Sequence, residues 1–96
     1  MVIKTSYGEY KIGGIYQHYK GGFYTIQSVA KLHDSQNVFL INYNKCNEQG
    51  VYESIRENTG QPNEVIVFQP FCTHETRWSD EVEVKGIKRK RFELIN

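Results

Sequence analysis

Residues 14–30 read GIYQHYKGGFYTIQSVA, and this stretch decides the fold of the 96-residue chain. Two runs rich in Ile, Tyr, Phe and Val flank the triplet Lys20-Gly21-Gly22. Because glycine adopts positive φ without steric cost, the triplet suits the tight turn of a β-hairpin. Side chains on both arms alternate with a period of two, which is the signature of strands. The stretch therefore predicts an aromatic-rich antiparallel hairpin.

The alternation gives each arm of this hairpin two faces. In the first arm the faces carry Ile15, Gln17 and Tyr19 on one side and Tyr16, His18 and Lys20 on the other. In the second arm they carry Tyr24, Ile26, Ser28 and Ala30 on one side and Phe23, Thr25, Gln27 and Val29 on the other. Strict alternation thus predicts that Ile26 and Val29 lie on opposite faces of the sheet.

Further strands are predicted at residues 38–43, 65–68, 81–84 and 91–95. Pro70 is expected to end a strand, since proline cannot donate to a ladder. Residues 72–80 are expected to form a loop, and 81–84 to pair with 91–95 as a second hairpin. Several short strands separated by glycine turns predict an all-β fold, a small antiparallel barrel with little helix.

Two segments flank or interrupt this pattern. Residues 1–13 form an N-terminal extension, whose alternation of Tyr7, Tyr10 and Ile12 predicts a strand that covers the barrel edge. Residues 44–63 form a polar insertion, in which Val51, Tyr52 and Ile55 fit one face of a short helix. A connection of this length in a small domain tends to be functional or disordered.

Length and composition limit the class of protein. A chain of 96 residues predicts one domain, residues 1–96, with a thin core. The formal net charge of +1 gives no global attraction to nucleic acid or to a membrane surface. No apolar run has the length of a membrane span, and the N-terminus lacks the apolar region of a signal peptide. Cys46 and Cys72 are expected to be free thiols, and the protein to be soluble and cytoplasmic.

The first stretch also resembles a known family. GIYQHYKGGFYTIQSVA is similar to the opening of the small bacterial and phage proteins of domain of unknown function 1653, which have Gly-x-Tyr-x-His-Tyr-Lys-Gly, an aromatic pair and a Val-Ala end. Their close resembles Val82-Glu83-Val84, Gly86 and Arg91-Phe92-Glu93. The resemblance implies an SH3-like β-barrel in a bacterial or phage-infected cell, and it implies no activity. The family usually has Trp-x-Arg-Pro where this chain has Val67-Phe68-Gln69-Pro70, and its central connection is usually shorter.

Catalytic and metal-binding patterns are weak. Cys72, His74 and Glu75 offer a nucleophile and a base, but no glycine-flanked serine or second Cys/His pair at ligand spacing accompanies them. Hydrolysis there is the least favoured of three function classes. The sequence therefore predicts no enzyme activity, no metal and no cofactor.

Aromatic residues exceed the needs of a small core. They are Tyr16, Tyr19, Phe23, Tyr24, Tyr43, Tyr52 and Trp78. Tyrosine and tryptophan suit either a subunit interface or a platform on which a base stacks, and both alternatives stay open. The basic run Lys85, Lys88, Arg89, Lys90 and Arg91 is interpreted as a solvated hairpin tip, because alternate residues of a strand face opposite sides.

The sequence favours a non-catalytic protein that binds a small nucleotide-like ligand, such as a phage protein that sequesters a nucleotide or ADP-ribose-type signalling molecule. The alternative is an SH3-like adaptor that binds a protein or nucleic acid through its aromatic face. The predicted ligand-binding residues are Tyr16, His18, Tyr19, Tyr24, Tyr52, Arg56, Arg77 and Trp78. Arg56 and Arg77 are candidates for the anionic group, because guanidinium forms a fork that fits phosphate. We expect a homo-oligomer, most simply a two-fold dimer, with no membrane or nucleic-acid partner.

Overall fold

The computed structural model describes residues 1–33, 38–52, 55–57, 65–67 and 70–96, with the backbone alone at 55–57, 65–67 and 70. The strands in this part of the chain are β1 (Val2–Lys4), β2 (Glu9–Lys11), β3 (Ile15–His18), β4 (Phe23–Lys31), β5 (Phe39–Cys46), β6 (Ile55–Glu57), β7 (Val65–Val67), β8 (Pro70–His74), β9 (Glu81–Val84), β10 (Ile87–Lys90) and β11 (Phe92–Leu94). One helical turn, α1 (Glu75–Trp78), lies between β8 and β9. The prediction of an all-β fold with little helix is confirmed.

The strands form antiparallel sheets of two sizes. The largest has five strands in the order β11-β3-β4-β5-β8, and β1-β2, β6-β7 and β9-β10 are separate pairs. With the described strands, the five-stranded sheet ends at β11 and β8 and does not close on itself. The predicted barrel, and its SH3-like form, are therefore not confirmed.

The first hairpin matches the prediction. Tyr16 on β3 pairs with Tyr24 on β4, and Ile15 pairs with Thr25. The His18 amide donates to the Gly22 carbonyl over 3.1 Å and closes the turn. Both glycines of the turn have positive φ, 96° at Gly21 and 84° at Gly22, which explains why glycine is needed at these positions.

A β-bulge interrupts the second arm. The register between β4 and β5 shifts between Ile26, which pairs with Tyr43, and Ser28, which pairs with Asn42. Val29 then pairs with Ile41, so Ile26 and Val29 face the same side of the sheet. The prediction from strict alternation is wrong beyond Gln27, because an extra residue in one strand changes which side chains face the core.

The described backbone of the polar insertion includes strand or bridge residues and a turn at residues 47–50. Tyr52 forms a β-bridge with Cys46. β6 pairs antiparallel with β7, with Ile55 opposite Val67. The short helix expected from Val51, Tyr52 and Ile55 is therefore wrong, because strand pairing outweighs a helical period read from three residues. The strand predicted at 65–68 is confirmed over Val65–Val67, and Phe68 lies outside the described residues.

Pro70 begins a strand instead of ending one. β8 starts at Pro70, pairs with β5 and lies at the edge of the large sheet. The first residue of an edge strand is a position where the missing proline amide costs no ladder bond. Residues 72–80 were expected to be a loop, but they complete β8 and form α1.

The second hairpin is shorter than predicted. β9 pairs with β10 across a turn in which Lys85 has φ 53° and Gly86 has φ 79°. Two consecutive positive φ values define a two-residue turn, so the chain reverses at once and residues 87–90 become the second arm. The predicted pairing of 81–84 with 91–95 is therefore wrong. Instead β11 pairs with β3, with Leu94 opposite Tyr16.

The core lies on one face of the large sheet and is largely aromatic. Its buried members are Tyr10, Tyr16, Ile26, Ile41 and Trp78. Ile12, Tyr24, Val29, Tyr43 and Phe92 pack against them. The N-terminal hairpin β1-β2 thus contributes Tyr10 to the core. In the described part of the chain, no helix has the length and apolar character needed to span a lipid bilayer.

Candidate functional site

The rings of Trp78 and Phe92 form the centre of the aromatic core. They are stacked, with centroids 3.8 Å apart and planes within 3° of parallel. Tyr16 meets Trp78 edge-on at 5.2 Å. The helical turn α1 supplies Trp78 and the edge strand β11 supplies Phe92, so the stack joins the helical turn to the edge strand.

A cavity of about 390 Å³ opens beside this stack, and we call it the aromatic cavity. The N-terminal hairpin forms one wall with residues 7–10, and Tyr16, Trp78 and Phe92 form the floor. Glu9, Ser79 and Lys90 supply its polar groups. Glu9 is paired with Lys4 at 3.1 Å, which leaves Lys90 as the cation available to a ligand here. The cavity therefore combines flat apolar surface with one positive charge.

A buried polar network holds the N-terminal wall in place. The Tyr10 hydroxyl donates to Oε2 of Glu75 over 2.7 Å, and the Thr5 hydroxyl donates to the same oxygen over 2.5 Å. Because the Tyr10 proton goes to the carboxylate, the Ser79 hydroxyl is the donor in its 2.9 Å bond with the Tyr10 oxygen. Burial is the main cause that raises the pKa of Tyr10 above its usual value of 10.0.

Tyr16 is fixed at the floor from two sides. Its hydroxyl accepts a 2.9 Å hydrogen bond from the Lys11 amide, while its ring contacts Trp78. Burial raises the pKa of Tyr16 and the Lys11 bond opposes this increase. Tyr16 therefore serves both the core and the floor of the cavity.

A second cavity, of about 300 Å³, lies at the turn of the first hairpin, and we call it the basic cavity. Lys20, Arg89 and Lys90 line it, together with the carboxylate of Glu93. Phe92 and Leu94 line the aromatic cavity whereas Glu93 lines the basic one, so the two cavities lie on opposite faces of β11. Lys90 lines both.

His18 contributes an imidazole to the lining of the basic cavity. Its Nδ1 accepts a 3.2 Å hydrogen bond from the Lys20 amide, which places the proton of the neutral ring on Nε2. Burial lowers the pKa of His18, and the positive charges of Arg91 and Lys20 lower it further. His18 is therefore neutral at pH 7 and can act as a hydrogen-bond donor through Nε2.

The eight residues predicted for the ligand site are divided by the fold. Tyr16 and Trp78 line the aromatic cavity, although only 5% and 3% of their surface is exposed. His18 and Tyr19 line the basic cavity. Tyr24 packs against Tyr43 at 5.5 Å, away from both.

Of the remaining predicted residues, Tyr52 and Arg77 line neither cavity, and the side chain of Arg56 is not among the described ones. Tyr52 is exposed and bridges to Cys46, and it lines neither cavity. Arg77 is exposed on α1, where its charge lowers the pKa of Tyr43 against the stronger effect of burial. The side chain of Arg56 lies outside the described residues.

Phe92, Arg89 and Lys90 line these cavities but were not among the ligand-binding residues predicted from the sequence. The basic run was interpreted as a solvated hairpin tip, because alternate residues of a strand face opposite sides and 81–84 was expected to pair with 91–95. The signal that could have corrected this is Lys85-Gly86, a dipeptide that fits a two-residue turn and frees residues 91–95 to pair elsewhere.

The residues considered as a catalytic nucleophile and base, Cys72, His74 and Glu75, lie at the end of β8 and the start of α1. Cys72 and His74 are exposed on β8, and Glu75 is buried with Oε2 engaged by Thr5 and Tyr10. Cys46 is buried on β5, whereas Cys72 is an exposed thiol on β8. In the part of the chain that the structure describes, no group of three His, Cys, Asp or Glu side chains is placed to hold a metal ion.

Comparison with known proteins gives this chain no relative. No family model, no curated protein and no solved structure matches it. The resemblance to domain of unknown function 1653 stays a prediction.

Proposed function

We propose that this protein binds a small nucleotide-like molecule without transforming it, and that the aromatic cavity receives the planar ring of the ligand. The observation that carries the proposal is a cavity of about 390 Å³ whose floor is Tyr16, Trp78 and Phe92. Ligand pockets usually measure roughly 300–1,000 Å³ and combine apolar walls with a few polar groups. The dimensions and composition of the aromatic cavity fit that description.

The polar groups of this cavity suit a ligand that carries an anionic group. Lys90 has no described carboxylate at ion-pair distance, whereas Glu9 is neutralised by Lys4. The Ser79 hydroxyl offers a further polar contact at the wall. A base or similar ring would contact the aromatic side chains, and a phosphate would be reached by Lys90. Sequestration of a nucleotide or an ADP-ribose-type molecule is the activity that we propose.

The adaptor alternative needs a broad exposed aromatic face. Tyr16 and Trp78 are almost fully buried, so they offer little ring surface to a flat partner. Tyr7, Tyr52 and Phe71 are the exposed aromatic side chains in the described part of the chain. This distribution favours a cavity ligand over an extended protein or nucleic-acid partner.

The two-fold dimer remains part of the proposal. Leu94 and Ile95, at and after the edge strand β11, are 46% and 48% exposed, and an apolar edge of this kind suits association with a second copy. Light scattering at high micromolar concentration tests this: twice the mass of the chain supports the dimer, and a monomer mass rejects it. We place the protein in the bacterial or phage-infected cytoplasm on the family resemblance alone.

Calorimetric titration with adenosine, AMP and ADP-ribose tests whether the protein binds a nucleotide-like ligand. Separate titrations with a short peptide and a DNA duplex test the other ligand classes. Trp78 is the only tryptophan in the chain, so its fluorescence reports binding in the aromatic cavity directly. Tyr7→Ala removes an exposed aromatic side chain from the wall of the cavity. Tyr52→Ala is the control, because it removes an exposed tyrosine that lies outside the cavity.

We expect nucleotide binding with a change in Trp78 fluorescence, and a loss for Tyr7→Ala of about tenfold if that ring stacks on the base. Tyr52→Ala should bind as the wild type does. Heat with peptide or DNA alone would favour the adaptor, and equal losses in the two tyrosine variants would contradict the proposed location.

A further inference from the structure

We infer that the basic cavity is a binding site for a phosphate-type oxyanion. The site is formed by the turn of the first hairpin and by the second arm of the β9-β10 hairpin. The basic cavity and the aromatic cavity lie on opposite faces of β11. The inference therefore goes beyond the proposed function, and it does not require a ligand ring to bind in the basic cavity.

The first observation is a group of cations without counterions. Lys20, Arg89 and Lys90 line one cavity of about 300 Å³. The salt bridge found among the described residues joins Lys4 to Glu9, so no described carboxylate pairs with these three side chains. Glu93 lines the same cavity and is the single negative charge against three positive ones. Cations gathered in a concave surface attract an anion more strongly than the same charges spread over a convex one.

The second observation concerns Arg91, whose guanidinium group lies over the ring of Tyr19. The guanidinium carbon of Arg91 lies 5.8 Å from the centre of the Tyr19 ring, and Nζ of Lys20 lies 5.6 Å from the same centre. The buried Nε of Arg91 has no hydrogen-bond acceptor in the described part of the chain. Arg91 thus adds a fourth positive charge near the cavity, and no described carboxylate lies within ion-pair distance of it.

The third observation is that the cavity is built from short, fixed turns. The Gly21 amide donates to the His18 carbonyl over 2.8 Å, and the Lys20 amide donates to Nδ1 of His18. These bonds fix the backbone beside Lys20. Arg89 and Lys90 are held on β10 by pairing with Val82 and Glu81. Side chains that start from a fixed backbone lose less conformational freedom when they bind a ligand.

The chemistry of these side chains selects the ligand class. Arg89 presents a planar fork of donors, which fits two oxygens of phosphate or sulfate. Lys20 and Lys90 supply point charges, and neutral His18 supplies a donor at Nε2. Glu93 repels the anion, so the site should favour ions that engage several donors together over a simple halide.

His18 gives an internal measure of anion binding. The charges that act on it come from Lys20 and Arg91, the carboxylate of Glu93 lines the same cavity, and the rings of Tyr19, Tyr24 and Phe92 surround it. A bound phosphate would offset the cationic charges that lower the pKa of His18. The pKa of His18 should therefore rise when phosphate is added, whereas an equal ionic strength of chloride should raise it less.

The experiment is a titration with inorganic phosphate at constant ionic strength, followed by NMR of the backbone amides and of the His18 ring. Phosphate should shift the amides of Lys20 and Gly21 with a saturable curve. Arg89→Gln should weaken binding by about tenfold or more, as expected when a charged hydrogen-bond partner is lost. Glu93→Gln should strengthen it, because it removes the opposing charge.

Lys88→Gln is the matched control. Lys88 is on the same strand as Arg89 and carries the same charge, but it does not line the basic cavity. Equal weakening in Arg89→Gln and Lys88→Gln would show a diffuse charge effect and overturn the inference, as would amide shifts that do not saturate. The aromatic cavity is tested separately by adenosine, which lacks phosphate, so failure of one proposal does not imply failure of the other.

Discussion

The hydroxyl of Tyr10 donates a 2.7 Å hydrogen bond to Oε2 of Glu75, a residue 65 positions away in the chain. Both residues are buried, with 2% and 1% of their surface exposed. The bond connects the N-terminal hairpin to α1, and both elements contribute side chains to the lining of the aromatic cavity. The shape of the proposed ligand site therefore depends on a polar contact inside the core.

Tyr10→Phe should destabilise the protein by about 1.5–3 kcal/mol, because a buried carboxylate loses a hydrogen-bond donor. Urea denaturation followed by Trp78 fluorescence measures the change. Tyr7→Phe removes a hydroxyl from an exposed tyrosine and should leave stability unchanged. If Tyr10→Phe is as stable as the wild type, the Glu75 contact does not hold the hairpin. A double-mutant cycle with Glu75→Gln isolates the pairwise energy.

The pH dependence of stability should show the effect of His18. Its pKa is lower in the folded protein than the ordinary 6.5, so the unfolded chain binds a proton more readily as the pH falls below about 6.5. His18 thus contributes stability that is present above that pH and is lost as the pH falls through the folded pKa. His18→Gln should flatten the decrease in melting temperature between pH 7 and pH 5. An unchanged slope would show that other groups cause it.

Alkaline conditions should weaken the fold through its buried tyrosines. Burial is the main cause that raises the pKa values of Tyr10, Tyr16 and Tyr43 above 10.0. Their stabilising contribution is complete below pH 10 and is lost as the pH rises through the folded values, because the unfolded chain ionises first. Denaturation at increasing pH should show this loss, and Tyr16→Phe should reduce its slope. A slope that is unchanged in Tyr16→Phe contradicts the assignment to Tyr16.

Deletion of Gln27 should leave the sheet intact. Gln27 is the exposed residue of the β4 bulge, and the residues on either side of it already pair with Tyr43 and Asn42 in sequence. Its loss converts the bulge into regular pairing and keeps Ile26 and Val29 on the core face. Deletion of Thr25, which is buried and paired with both Ile15 and Asn44, should prevent folding. Circular dichroism distinguishes these outcomes, and an unfolded Gln27 deletion would show that the bulge itself is required.

The parts of the fold that could be predicted are those set by local sequence. Alternation and a glycine turn specify β3 and β4, because both partners lie next to each other in the chain. The partner of β11 is distant in the chain. Once Lys85 and Gly86 close the β9-β10 hairpin, β11 pairs with the free edge of β3, and no short-range sequence pattern indicates this pairing. The bulge at Gln27 was missed for a related reason, since the core side of a strand is decided by tertiary packing.

The candidate site was predictable by residue type and less so by position. The aromatic excess indicated a role beyond an ordinary core, and Tyr16, Trp78, His18 and Tyr19 do line cavities. The sequence alone could not show that these residues line two different cavities, which lie on opposite faces of β11. Arg56 and Arg77 were predicted for the anionic group because the basic run was assigned to solvent, although Arg89 and Lys90 of that run line the basic cavity.

The pairing of β3 with two partners has a kinetic consequence. One partner, β4, follows within a few residues, whereas the other, β11, is separated from it by most of the chain. Closing a short loop costs less entropy than closing a long one, so the hairpin should form early and the β3-β11 ladder late. Because Phe92 of β11 stacks on Trp78, the fluorescence of that tryptophan should report the last step of refolding, slower than the appearance of strand signal in the far ultraviolet.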